Sequence, residues 1–385
     1  MLVSDAEIAA YRRHGAGAWY RETGDAPAGT DRDVFEPIPG WPGLQRIRKR
    51  ADGGCGFLSA GNRCRIHEEL GADRKPLTCR IYPYSLHPAP DAVVVMASFG
   101  CPTIIANQGE SISSGRSLDA LEALRVEWFG SRSTASIPRQ LVEGRAIDSR
   151  SVRVLRESLL AIWNSEAADI RTNLRRIAAA LDDLTRSRVV SLPDQDFAEY
   201  VKLTLPYAAA KPATVPARGP SRIGRLLQYG FLYAVAATLV AVENRGQSQW
   251  RLRLTRLQLL AHFHRLAPRL GRINVAALSG VVDINAPEIR PIVFHYVRSS
   301  LESLAGRERP IVDDLAMAVS FLNAACALAT MNAAAAGRGV DRQIFSDALM
   351  DAVHLWHTDD RGLLGKLLRR LTGGTEALWL LQSSR

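Results

Sequence analysis

The sequence predicts a mainly α protein, with a small irregular α+β cysteine-cluster module followed by a large all-helical region. Three observations predict this. Four of the five cysteines, Cys55, Cys64, Cys79 and Cys101, fall in one early window that turn residues cut into short segments. After residue 110 the apolar residues recur at helical spacing and no cysteine appears until Cys326. The chain of 385 residues, 47% apolar and 23% charged, has the composition of an ordinary globular protein with material for a substantial core. The expected organisation is a metal-binding module over 1–110, a helical region over 111–205, a Pro-rich linker over 206–220 and a C-terminal helical domain over 221–385.

The elements follow in order. Ser4-Asp5-Ala6-Glu7 has the form of a capping box, in which the Ser4 hydroxyl caps a helix and Glu7 reaches back, so a helix starts near Asp5. Residues 24–43 are rich in Gly and Pro and predict a loop. Turn signals at Asp52-Gly53-Gly54 and Gly61-Asn62 predict small strands around Cys55 and Cys64. Ile66 to Leu70, stopped by Gly71, predicts one helical turn, and the β-branched run from Ala92 to Phe99 predicts a strand that delivers Cys101. Beyond it, Leu118, Leu121, Leu124, Val126 and Phe129 mark an amphipathic helix. Val152–Trp163 and Ile170–Leu184 mark two more. Further helices are expected near 222–243, 251–266, 287–304, 311–336, 341–357 and 363–381.

The net charge of +10 arises from 44 arginines and only five lysines, Lys49, Lys75, Lys202, Lys211 and Lys366. The only tight basic group is Arg46, Arg48, Lys49 and Arg50. Elsewhere arginines alternate with Asp and Glu, as on solvated helix faces, so no nucleic-acid partner is expected. Met1 to Tyr20 has no basic stretch followed by an apolar run, which points to the cytoplasm, where thiols stay reduced and favour metal over disulfide. Leu226 to Val242 carries no charge, but it is short for a bilayer and contains Gln228 and Gly230. It reads as a buried core helix and no membrane span is expected.

The cysteines are spaced Cys55-x8-Cys64-x14-Cys79-x21-Cys101. Thiolates are soft ligands for zinc, iron and iron–sulfur clusters. Structural zinc sites pair their cysteines in tight knuckles, and this chain has none, whereas a cluster can collect single cysteines from several loops. His67, three residues after Cys64, is a further candidate ligand, with an exposed helical histidine as the alternative. His87 is a weaker one, and His262/His264 and His354/His357 are weaker again. Cys326 lies in an alanine-rich apolar run and reads as a small core residue. No serine sits in a nucleophile elbow. The acidic pairs Glu68-Glu69, Asp182-Asp183, Asp313-Asp314 and Asp359-Asp360 read as caps or solvated faces.

Four phrases, taken together, carry a family resemblance: Cys55-Gly56-Phe57-Leu58, Cys64-Arg65-Ile66-His67, Pro76 to Pro83 with Cys79-Arg80, and Cys101-Pro102. They resemble the zinc- or iron-chelating cysteine-cluster family (YkgJ-like) over about residues 1–105. The resemblance implies a bound iron–sulfur cluster or Zn/Fe ion at Cys55, Cys64, Cys79 and Cys101. The overall plan is also similar to that family's flagellin lysine N-methylase branch. That branch implies, as an alternative function, S-adenosylmethionine-dependent methylation of lysines on flagellin or a similar protein substrate. Neither Gly15-Ala16-Gly17 nor Gly337-Arg338-Gly339 has the strand–turn–helix context of a nucleotide-type loop. A third reading is a zinc-stapled helical scaffold that binds a protein partner. Met1 to Glu7 looks like the segment that follows an upstream cysteine pair in that family, so further ligands are expected either upstream of Met1 or lost from this member. The oligomeric state is not encoded in any of these features.

Overall fold

The protein is seen in a computed structural model that describes residues 2–16, 18–19, 34–38, 43–50, 54–89, 92–129, 138–165, 169–210, 269–270, 273–274, 282–306 and 309–359. Its internal contacts divide it into a small unit, Met1–Ser85 with Glu110–Ser133, and a large unit, Leu86–Gly109 with Thr134–Arg385.

The chain opens with β1 (Leu2–Ser4) and α1 (Asp5–Arg13). The capping box forms as the sequence predicts: Ser4 Oγ accepts from the Glu7 amide at 3.3 Å, and the Glu7 carboxylate accepts from the Ser4 amide at 2.7 Å. Strands β2 (Phe35–Pro37) and β3 (Leu44–Ile47) join β1 in an antiparallel sheet of order β1-β3-β2, with Leu2 opposite Arg46 and Phe35 opposite Ile47. The Gly/Pro composition of 24–43 concealed β2. Pro37 is tolerated there because β2 is an edge strand, which can forgo an amide donor. The strands expected around Cys55 and Cys64 are only single antiparallel bridges, Lys49 with Cys55 and Leu58 with Cys64. Helix α2 (Arg65–Leu70) stops at Gly71, whose φ of +91° suits glycine, and α3 (Leu77–Ile81) follows a 3-10 turn at Ala72–Arg74.

Strand β4 (Tyr84–Ala89) carries the chain out of the small unit and pairs with β5 (Ala92–Ala97), the predicted strand less its last two residues. After α4 (Pro102–Ile105), α5 (Gly115–Phe129) belongs to the small unit again and packs on α3, where Arg80 pairs with Glu127. The core of the small unit gathers Val3, Ile8, Tyr11, Val34, Phe35, Ile47, Phe57 and Ile66.

The large unit continues with the hairpin β6 (Arg139–Val142) and β7 (Arg145–Ile147). Helix α6 (Ser149–Trp163) is capped by Asp148, and α7 (Ile170–Leu184) is capped by Asp169. A short α8 (Ser187–Val190) precedes α9 (Asp194–Ala210). Helix α9 runs through Pro206, so the first residues assigned from composition to a linker are helical; the remainder, from 211, lies outside the described residues. The two-residue strands β8 (Arg269–Leu270) and β9 (Ile273–Asn274) pair antiparallel. They are followed by α10 (Arg290–Glu302), α11 (Ile311–Ala336) and α12 (Arg342–Asp359). The helices expected near 222–243, 251–266 and 363–381, with the charge-free stretch 226–242, lie outside the described residues.

The chain is mainly α, as the sequence predicts. In the large unit α6 packs along α9 and α11 along α12, and one continuous core runs from Leu155, Leu159 and Trp163 through Leu181 and Val293 to Leu322 and Phe345. Among the described residues one helix, within α11, is long and apolar enough to cross a membrane. Most of it is buried inside the protein, as expected of a core helix.

Candidate metal centre

Cys55, Cys64 and Cys79 belong to the small unit, and each is placed by backbone bonds. Beyond β3 the chain runs on to Arg48, whose carbonyl accepts from the Gly56 amide at 2.9 Å. The Arg50 amide donates to the Gly54 carbonyl at 2.8 Å, which sets Cys55 opposite Lys49. The Leu58 amide turns back to the Cys55 carbonyl at 3.0 Å. The Arg65 amide donates to the Phe57 carbonyl at 2.9 Å, bringing Cys64 opposite Leu58. Asn62, at φ +57°, closes that second turn, as Asn does more readily than most residues. The Arg50 guanidinium staples the two turns together, reaching the carbonyls of Leu58 (3.4 Å) and Ser59 (3.3 Å) and Asn62 Oδ1 (3.4 Å). Cys79 stands in α3, its amide bonded to the Pro76 carbonyl at 2.7 Å.

Cys55 and Cys64 are partly buried against the core of the small unit. Burial pushes the Cys55 thiol up, and a charge on Cys64 adds to this, against the Phe57 amide and Arg50, which favour the thiolate. Burial pushes Cys79 up to about 11, and charges on both Cys55 and Cys64 push in the same direction, against Lys75. The three thiols therefore share one electrostatic neighbourhood, and Cys55 and Cys79 are protonated at neutral pH. Tyr11 stands in the same neighbourhood: burial raises its phenol most, with Glu7, Cys79 and Cys64 contributing.

Cys101, the fourth cysteine of the motif, belongs to the large unit and precedes α4, its carbonyl accepting from the Ile105 amide at 3.1 Å. The turn that delivers it is packed by histidines. The Phe99 ring lies 5.2 Å from that of His295 and edge-on to Tyr296, and Gly100 abuts His354. His67 is an exposed residue of α2 and His87 lies on β4 in the large unit. His262 and His264, and the side chain of His357, lie outside the described residues. Cys326 on α11 is partly buried and packs against the core of the large unit, and burial pushes its thiol up to about 12. Gly337 is a left-handed helix C-cap (φ +66°), bonded back to Ala333 and Ala334.

Soft sulfur donors suit zinc or iron in kind. In spacing they do not: among the described residues no three His, Cys, Asp or Glu side chains are gathered closely enough to hold a metal ion.

One acidic pair departs from its sequence reading. Asp314 is neither a cap nor a solvated residue; it is buried and paired with Arg139 in the large unit. The sequence did not single out Tyr11 and marked Arg50 only as part of a basic group; both bond to backbone carbonyls around the cysteine turns. Bonds to carbonyls carry no pair signature in a sequence.

Comparisons with protein-family models, with curated proteins and with solved structures return no match.

Proposed function

We propose that this chain is a thiolate metal-binding protein of the iron–sulfur or zinc/iron type, with Cys55, Cys64 and Cys79 as donors from the small unit. The observation that carries the reading is that the Cys79 thiol feels the charges of both Cys55 and Cys64. Among the described residues no three ligands are gathered at metal distance as the turns stand, so binding a metal requires the three turns to close in. Burial disfavours the thiolates of Cys55 and Cys79, and a bound cation would offset that cost. Ligand binding to a soft metal replaces their protons, so metal affinity depends on pH and contributes to folding. The raised thiols of Cys55 and Cys79 are poor nucleophiles at rest, unlike catalytic cysteines with depressed pKa values. The order of cysteine phrases supports the same reading by resemblance. Bound zinc would staple the turns, whereas an iron–sulfur cluster would add electron transfer.

The experiment is metal and sulfide analysis, with an absorption spectrum, of protein purified without oxygen. It is repeated for the single Cys→Ser variants at positions 55, 64, 79, 101 and 326. The reading expects stoichiometric metal that falls in the 55, 64 and 79 variants and is unchanged in Cys326→Ser. Visible colour with sulfide identifies a cluster, and colourless protein with zinc identifies a staple. Wild-type protein that retains no metal, and takes up neither zinc nor iron on reconstitution, sinks the proposal.

A further inference from the structure

We propose that Glu7 and Tyr11 are positioning residues for the thiol site, fixing the place of the Cys79 turn relative to the turns of Cys55 and Cys64. The inference rests on the thiolate reading above and names the residues that would make it work. The two side chains lie four residues apart on α1, hence on one face of the helix.

Glu7 does more than close its own capping box. Its Oε2 accepts from the Ser4 amide at 2.7 Å and from Ser4 Oγ at 2.9 Å, while its Oε1 accepts from the Leu77 amide at 3.2 Å, seventy residues along the chain. Leu77 is the first residue of α3, and Pro76 before it offers no side-chain cap. A helix start leaves its first amides without partners in the helix, and here the carboxylate of another helix accepts one. Cys79 stands two residues further on.

Tyr11 bridges both sides. Its hydroxyl donates to the Arg74 carbonyl at 2.7 Å, just before Lys75-Pro76. Its ring is buried, stacked on Phe35 with centroids 6.3 Å apart and tilted against Phe57 at 6.1 Å. Phe57 is two residues from Cys55, and its carbonyl holds the amide of Arg65, which follows Cys64. One side chain thus touches the Cys55–Cys64 turns with its ring and the approach to Cys79 with its hydroxyl. Groups that orient donors from behind change ligand affinity without touching the ligand.

The test uses the full chain, stripped of metal, and a probe that reads thiol placement independently of metal. Phenylarsine oxide condenses with two neighbouring thiols and releases water. Cobalt(II) is titrated in parallel. Tyr11→Phe keeps the ring and deletes the hydroxyl. Glu7→Gln keeps an acceptor oxygen that Glu7→Ala lacks. Wild-type protein is expected to capture the arsenical through Cys79, with capture lost in Cys79→Ser. Tyr11→Phe and Glu7→Ala are expected to weaken capture about tenfold or more while far-ultraviolet circular dichroism stays that of the wild type. Glu7→Gln should recover part of the loss. Undiminished capture in Tyr11→Phe and Glu7→Ala, or in Cys79→Ser, overturns the proposal. Arsenical capture that depends on Tyr11, without any uptake of cobalt, zinc or iron, supports the positioning role and rejects the metal reading. Capture of neither probe by the wild type rejects both.

Discussion

Replacing Asp314 with alanine should be among the most damaging single changes in the large unit. Asp314 lies in the first turns of α11 and accepts from Arg139 of β6 at 3.0 Å, and the two side chains are only 5% and 3% exposed. The same guanidinium also donates to the Arg309 carbonyl, so it cannot swing to water without losing a second bond. Asp314→Ala removes a counter-charge from a buried cation, at a cost of about 3–5 kcal/mol. For a unit of this size each kcal/mol corresponds to roughly 2–4 °C, giving a fall in melting temperature of about 6–20 °C. The pair itself gains little over apolar packing, because desolvating two charges offsets most of their attraction. The double variant Arg139→Met/Asp314→Leu should therefore return to within about 1 kcal/mol of the wild type. Urea and thermal unfolding of the four proteins, followed by helical circular dichroism, closes the cycle. An Asp314→Ala variant within about 1 kcal/mol of the wild type would contradict a buried, charge-compensating pair, as would a double variant no better than the sum of its singles.

Two further outcomes follow from close packing and burial in the large unit. A Cβ at Gly306 would lie 2.7 Å from Val94 Cβ and 3.0 Å from His87 Cβ, atoms fixed to the β4–β5 hairpin. At Gly100 it would meet the far end of the His354 ring, which can turn away. Gly306→Ala should thus cost about 1–3 kcal/mol in urea unfolding and Gly100→Ala clearly less, and the reverse order would contradict the packing. His295 is half-buried beside Phe99, and burial lowers its pKa, against the attraction of Glu302 and with the repulsion of Arg298. The unfolded chain then binds its proton first, so stability should decline as pH falls from about 6.5 towards the folded value. His295→Gln should flatten that slope in unfolding midpoints measured between neutral and mildly acidic pH, and an unchanged slope would assign the effect elsewhere.

Most of the long helices were legible because apolar spacing runs through them, although Asp194–Ala210 was not marked as one. Ile170–Leu184 and Ile311–Ala336 have the limits that periodicity and the caps at Asp169 and Gly337 set for them. The small unit was not legible in this way. Phe35–Pro37 and Leu44–Ile47 are too short to show alternation; they pair with each other, and Leu44–Ile47 takes its second partner, Leu2–Ser4, from far upstream. Pro206 misled for the opposite reason, since a helix packed along α6 over its earlier turns tolerates one missing amide near its end.

The candidate site shows the same division between local and distant causes. The clustering of Cys55, Cys64 and Cys79 was visible because each sits in a short phrase with its own turn signal, at Gly54, Asn62 and Pro76. What relates the three phrases to one another was not visible. Arg50 joins the first two turns through carbonyl oxygens, and Tyr11 meets the third through another, so any residue could occupy the accepting positions. Glu7 was recognised for its local bond to Ser4, and that local role concealed the distant one to Leu77. A carboxylate with two acceptor oxygens can serve both, Oε2 the nearer partner and Oε1 the distant one, and a sequence pattern registers only the nearer. Substitutions at Glu7 therefore have two effects, on the start of α1 and on the Cys79 turn. Comparing them with Ser4→Ala, which removes only the bonds of the Ser4 hydroxyl and keeps the backbone amide's bond to Glu7, separates the two: Ser4→Ala should loosen α1 and leave arsenical capture close to wild type.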